Sequence, residues 1–335
     1  SAKQGSYVPG KALADCTSPH FHFLGPFPRL QTMPTSVSSA LGCLRGKSGS
    51  QELTVEAVEG VENGGKITVV PQERLFVSEP PPEMFGNGPN PRDGSAQGWN
   101  NKNWLKSRFH FSFAEYSHGP SNFGALRVMN DDLVQPHRGF GTHPHANMEI
   151  ITFVVEGSLT HVDSMGNEES LERGSIQFMT AGTGVRHSEH NKDTTRPLRF
   201  IQSWVTPRRR GLTPNYGSMV GDAQAASSRR DKWAQLVSDV DGKVSAPVRI
   251  NQDCNVHVTE LSAGLSAPVF EVAGLRQAYL LCVEGSVSLG GGKALRQHDA
   301  AEVKGPLPLQ LEAGPDGALA LLFEMAATAD GRRDC

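Results

Sequence analysis

The chain has 335 residues, enough for two domains that each bury a core. A formal net charge of −3 leaves no basic footprint for direct nucleic-acid binding, and no apolar run is long enough to cross a bilayer as a helix: the best, residues 318–327, is short and carries Glu324. Five scattered cysteines (Cys16, Cys43, Cys254, Cys282, Cys335) form no CxxC pair, which argues against a disulfide framework or a zinc finger and for a soluble protein of a reducing, intracellular compartment.

Residues 1–65 are rich in Ser, Gly and Pro, and before position 50 they hold Lys3, Lys11, Arg29, Arg45 and Lys47 against the single acid Asp15. This composition predicts a low-complexity N-terminal arm, either a plain tail or a tether that docks on a protein partner. Its basic, Ser-rich character is also that of organelle leaders, so mitochondrion or plastid is the expected location, with cytoplasm or nucleus otherwise. An HxH pair in this arm, His20 and His22, has no partner pair and is not expected to bind metal.

From Lys66 the pattern changes to short alternating runs separated by turns. "KITVV" (66–70) and "RFHFSFAEY" (108–116) alternate as half-buried strands do, and "SLTHVDSMGNEESL" reads as a hairpin turning at Met165–Asn167. Gly 36 and Pro 22, with almost no helical periodicity, predict an all-β chain of antiparallel barrels or sandwiches. "VVEGSLTHVDSMG" (154–166) is echoed by "CVEGSVSLGGGKA" (282–294), which predicts a duplicated barrel. The expected domains are a metal-binding barrel over 66–212, a linker over 213–235 with a short helix, a second barrel over 236–328 and a tail over 329–335.

Within "GFGTHPHANMEI" (139–150), His143 and His145 lie two apart, so on a strand both point to one face. After the glycine-rich turn "TAGTG" (180–184), His187 and Glu189 repeat that spacing. Two such pairs can converge inside an antiparallel barrel, and three imidazoles with a carboxylate suit one divalent transition metal, Fe²⁺ first, with Ni²⁺, Cu²⁺, Mn²⁺ or Zn²⁺ as alternatives. Glu149 follows His145 by four residues and would share its face if the strand ran unbroken; it is expected to accept a hydrogen bond that orients an imidazole. His110, His137 and His161 are expected to be structural or surface residues. Ile151, Phe153, Phe178 and Trp204 are expected to be inward apolar side chains lining a dry cavity.

Through "NFGALRVMNDD", "GFGTHPHANMEI", "VEGSLTHVDSMGN", "FMTAGTGVRHSEHN", "FIQSWVTP" and "GLTPNYG", the sequence resembles the pirin family of the cupin superfamily, and most of all its bacterial quercetin 2,3-dioxygenase-like members. The resemblance covers 66–328, is dense over 104–217 and thins afterwards. It implies a bicupin, two antiparallel β-barrels in tandem, with the metal on His143, His145, His187 and Glu189 of the first. It also implies oxidative opening of a flavonol such as quercetin by O₂, with Glu189 both ligating and accepting the substrate's hydroxyl proton. Alternatives of other classes are a non-catalytic metal-bearing regulator or redox sensor, and a structural subunit of an organellar assembly tethered by residues 1–65. Sliding the "VEGS" echo back by the same offset sets Glu271 and Ala273 opposite His143 and His145. The second barrel is therefore expected to lack the site and to act as a structural partner.

Overall fold

The computed structural model describes residues 64–89 and 103–327, so the N-terminal arm lies outside the described residues. Lys66–Val70 forms β1. The strands that follow are β2 (Phe76–Ser78), β3 (Leu105–Phe109), β4 (Leu126–Val134), β5 (Gly139–His145), β6 (Glu149–Glu156) and β7 (Ser158–Asp163). Then come β8 (Glu168–Glu172), β9 (Ile176–Thr180), β10 (Val185–Asn191), β11 (Leu198–Val205) and β12 (Asn215–Met219). Strands β2 to β12 make two antiparallel sheets, one of seven strands in the order β12-β9-β6-β11-β4-β3-β2 and one of four in the order β5-β10-β7-β8. Between them lies an apolar interior that includes Trp104, Val134, Val154, Leu159, Leu171 and Phe200.

The one α-helix among the described residues, α1 (Ala223–Arg229), is capped by the Asp222 side chain, which accepts from the Ala225 N–H at 2.8 Å. It leads into β13 (Ala234–Asp239), β14 (Val248–Ile250), β15 (Cys254–Leu261), β16 (Phe270–Val272), β17 (Arg276–Ser288), β18 (Ala294–Arg296), β19 (Ala300–Lys304), β20 (Leu307–Leu309) and β21 (Glu312–Ala326). Eight strands of the chain, β1 among them, form one sheet here, and β16 and β20 form the facing pair around a second apolar interior. All four sheets are open-edged rather than closed rings, so the all-β expectation of two tandem cupin barrels holds as two open double-layered sandwiches. The duplication is visible in Gly157 and Gly285, the glycines of the two "VEG" segments. Both have positive φ, 78° and 69°, and at both a Cβ would collide with the backbone carbonyl of the neighbouring chain segment.

Two stretches sit elsewhere than the sequence pattern suggests. Strand β1, expected to head the first barrel, pairs instead with β19 of the second, Lys66 opposite Lys304 through Val70 opposite Ala300. Residues 215–219, expected in the linker, form β12 and extend the first barrel's large sheet beside β9. Alternation tells a strand which face to bury, but it does not tell it which sheet to join.

The continuous run "EIITFVVE" of β6 is buried at every position but the last, because both faces of its sheet are covered. Ile150 and Val154 point into the first barrel, whereas Ile151, Phe153 and Val155 point the other way. There they join Phe178 and Ile201 against Val256, Val258, Tyr279, Leu281 and Phe323 of the second barrel in one core. Each such side chain contributes roughly 1.5–3 kcal/mol when fully buried.

One charged group is held in this interface. Arg199 donates to both Asp131 carboxylate oxygens at 2.8 and 2.7 Å and to the Val283 carbonyl at 2.7 Å, while His298 from the second barrel lies 2.6 Å from Asp131. Burial alone would raise the Asp131 carboxyl; the charge and hydrogen bonds of Arg199, with those of His298, hold it well below the usual carboxylate range. Arg199→Met, which leaves Asp131 buried without its guanidinium, is expected to lower the unfolding free energy by about 3–5 kcal/mol. Urea denaturation checks this, and adding Asp131→Asn to the same chain is expected to restore a large part of the loss.

Candidate metal centre

In β5 the exposed Thr142 and Pro144 alternate with the half-buried His143 and His145, as the HxH spacing predicts. Strand β10 lies beside it, His187 opposite His143 and Val185 opposite His145, with a bulge between His187 and Glu189. The three imidazoles meet with ring centroids 4.7 Å (His143–His145), 4.6 Å (His143–His187) and 4.9 Å (His145–His187) apart. Two overlapping groups have ligand atoms within 4.8 Å of one another: His143, His145 and His187, and His161, His187 and Glu189. Among the described residues, both lie in the first barrel.

The ring hydrogen bonds indicate which nitrogens are available. Nδ1 of His143 lies 2.8 Å from the Gly141 carbonyl, which can only accept, so Nδ1 carries the proton and Nε2 keeps its lone pair. Nδ1 of His187 lies 3.4 Å from Nδ1 of His161, and its buried Nε2 has no hydrogen-bond partner. Burial first, and then the charge of His143, lower His145 to about 3. Burial and the three neighbouring imidazoles hold His187 well below the ordinary histidine range. Neutral rings at neutral pH are what metal ligation requires. A divalent ion fits this donor set, since an orphaned buried nitrogen with a free lone pair is costly without a partner.

Glu189 is buried in the same interior and accepts from Gln177 Nε2 at 3.1 Å, Gln202 Nε2 at 2.7 Å and Thr152 Oγ1 at 3.4 Å. The Trp204 ring stands 4.8 Å from His145, and its Nε1 donates to Gln202 Oε1 at 3.2 Å, which fixes the Gln202 amide so that its nitrogen faces Glu189. Of the four residues expected to line a ligand cavity, Trp204 is the one at the histidines. Ile151, Phe153 and Phe178 lie on the opposite face of the sheet, in the core between the barrels. Glu149 is displaced for the same reason. Its carboxylate accepts from Thr180 Oγ1 at 2.7 Å and from Asn251 Nδ2, beyond β14, at 3.0 Å, and it orients no imidazole. The strand does not run unbroken: β5 ends at His145, Asn147 takes φ 54°, and β6 starts at Glu149 in the other sheet. The face count begins again there.

Several residues at the centre are not singled out by spacing. Gln177 and Gln202 are polar residues at inward positions of apolar strands, a signal that the runs "SIQFMT" and "FIQSW" do carry. Tyr216 of β12 stacks on His161 at 4.6 Å, and its hydroxyl stands within hydrogen-bonding distance of two acceptors, Glu169 at 2.8 Å and Gln177 Oε1 at 3.0 Å. His161 is buried and central rather than peripheral. His110 is the structural hydrogen-bonder expected, its Nδ1 2.9 Å from the Tyr279 hydroxyl, and His137 is exposed at a turn with φ 58°. In the second barrel Glu271 and Ala273 are exposed, His257 packs on Phe270, and His298 serves the Asp131 cluster.

Tandem cupin sandwiches with an HxH and an HxE pair on adjacent strands of the first define a bicupin with one candidate metal centre. Residues 93–205 match the pirin family, and residues 235–325 match the quercetinase C-terminal cupin domain. The chain is 36% identical over 236 residues to a quercetin 2,3-dioxygenase of Escherichia coli, covering 70% of this chain and 97% of that one. It is also 36% identical over 221 residues to a pirin-like protein of Caulobacter vibrioides, covering 65% and 92%. A bacterial pirin from Escherichia coli, solved in complex with nickel(II), superposes with a TM-score of 0.63 at 29% identity, covering 78% of this chain and all of that one. The chain belongs to the pirin family.

Asp132 lies in the first barrel's interior and is hydrogen-bonded to Ser107. Burial, opposed in part by that bond, pushes it up to about 8. The unfolded carboxyl ionises near 4, so folding takes up a proton and stability falls as pH rises from about 4 towards 8. Asp132→Asn is expected to flatten that fall, stabilising the chain more at pH 8 than at pH 5. Urea midpoints at the two pH values check it; an equal effect at both would show that Asp132 folds ionised.

Proposed function

We propose that this protein is a metal-dependent dioxygenase that opens a flavonol such as quercetin with O₂. The observation that carries the reading is the convergence of the imidazoles of His143, His145 and His187, with Nδ1 of His143 bonded to the Gly141 carbonyl and the buried Nε2 of His187 unpartnered, beside the buried carboxylate of Glu189. His143, His145, His187 and Glu189 would hold one divalent transition metal. Fe²⁺ remains the expected ion, and the nickel(II) complex of the structural relative supports a divalent one. When bound, the ion supplies a Lewis-acid centre where a substrate oxygen and O₂ can meet.

The chain's own residues do the rest. His143 and His145 are half-buried, so the centre is reached from their side of the barrel. Trp204 offers an aromatic wall beside His145, in reach of a flat ring and backed by Phe113 at 5.1 Å. Glu189 Oε2 can accept the substrate's hydroxyl proton, and Gln177 and Gln202 hold that carboxylate in place while it does so.

A metal-bearing regulator is the second reading. It is favoured by a cleft of about 610 Å³ that is lined by Arg173, Arg229, Glu260 and Glu284 and not by the histidines.

Metal content by mass spectrometry, with O₂ uptake on adding quercetin, separates these readings. The dioxygenase requires near-stoichiometric divalent metal that is lost in His143→Ala, and quercetin-dependent uptake that is lost with it. Metal without uptake would select the regulator, and no metal at all would overturn both. Trp204→Ala is expected to retain the metal and raise KM for quercetin several-fold, on the order of 0.5–1.5 kcal/mol of lost ring contact.

A further inference from the structure

His161 belongs to neither of the sequence pairs, yet it is 1% exposed and lies against His187. Its two nitrogens face different partners. Nε2 is 3.1 Å from Asp163 Oδ2, and Nδ1 is 3.4 Å from Nδ1 of His187. Asp163 is itself fixed by the hairpin turn, accepting from the Met165 N–H at 2.8 Å, the Asn167 N–H at 3.1 Å and Asn167 Nδ2 at 2.9 Å. The other face of the His161 ring is held by Tyr216, stacked at 4.6 Å and 20°.

A carboxylate only accepts, so the His161 proton sits on Nε2 and Nδ1 is left with a lone pair. Two ring nitrogens that face each other cannot both be acceptors, so His187 carries its proton on Nδ1. Its Nε2 then holds the lone pair, and Nε2 is the buried atom with no partner among the described residues. We infer that His161 is a positioning residue. Together with Asp163 it forms a relay from the β7–β8 turn that sets the tautomer and ring orientation of His187, and so presents Nε2 to the metal. Metal-bound histidines commonly donate their second nitrogen to a carboxylate or carbonyl; here an imidazole stands between the carboxylate and the ligand. The inference rests on the metal-centre reading above. A competing arrangement has His161 as a ligand itself, with His187 and Glu189. It leaves out His143 and His145, whose rings close on His187 with centroids 4.6 and 4.9 Å away.

The test uses the full chain, stripped of metal and titrated with cobalt(II), whose visible absorption reports ligand set and geometry. His161→Asn and His161→Leu have the same shape, but only Asn keeps an acceptor near the place of Nδ1. The relay requires one cobalt(II) per chain in all variants, affinity within a few-fold of wild type for Asn, and a loss of roughly 10–100-fold with a shifted spectrum for Leu. His161→Phe, which preserves the ring stack on Tyr216, replaces Leu if that variant fails to fold, as judged by its melting without metal. Equal affinity and spectrum in Asn and Leu would overturn the relay while leaving the metal centre intact. A second cobalt(II) equivalent lost with His161 would overturn it in favour of a ligand role. A wild-type chain that takes up no cobalt(II) would overturn the metal reading as well.

Discussion

The seven-stranded sheet of the first barrel is buried on both faces, and its period-two alternation divides the molecule's tasks between them. Even positions of β6 (Ile150, Thr152, Val154) face the histidines and the first interior, and odd positions face the second barrel. The same division runs through β9, where Gln177 bonds to Glu189 while Ile176 and Phe178 join the inter-barrel core. It runs through β11 too, where Gln202 bonds to Glu189 while Arg199 turns to Asp131. A shift of one residue in any of these strands would exchange a metal-site group for an interface group.

This explains why a second barrel without ligands is kept. It covers the apolar back of the sheet that carries Gln177, Gln202 and Thr152, and it supplies Asn251 to Glu149 and His298 to Asp131. The charged groups on that face are satisfied partly within the first barrel, by Arg199 and Thr180, and partly across the interface. The candidate metal centre is therefore backed by a domain that contributes none of the four proposed ligands.

The ligand pairs are legible in the sequence because HxH and HxE need only local alternation, which β5 keeps at His143 and His145, and the bulge between His187 and Glu189 leaves both of those residues buried in the same interior. What is not legible is any property that depends on how one strand's phase relates to the next. The turn at Asn147 breaks the count between His145 and Glu149, and with it the expected places of Glu149, Ile151 and Phe153. Phe178 follows the same rule on β9, since an aromatic run alone does not tell which face of a doubly covered sheet it occupies. His161 and Tyr216 escape notice for another reason. They lie on β7 and β12, in different sheets, and stack only in three dimensions.

The placement of β1 bears on how the molecule is made. Strands β1 and β19 pair at one edge of the second barrel's sheet, yet one is translated long before the other, with the whole first barrel in between. While the ribosome is producing the first sandwich, Lys66–Val70 has no partner, and its apolar Ile67 and Val69 stay uncovered until residues 300–304 emerge. Pairing across such a sequence distance closes a large loop and belongs to the slow end of folding. The second half thus works as a clasp, locking the N-terminal strand only when synthesis is nearly complete, and a chain cut between the barrels would leave that strand as an unpaired edge open to association.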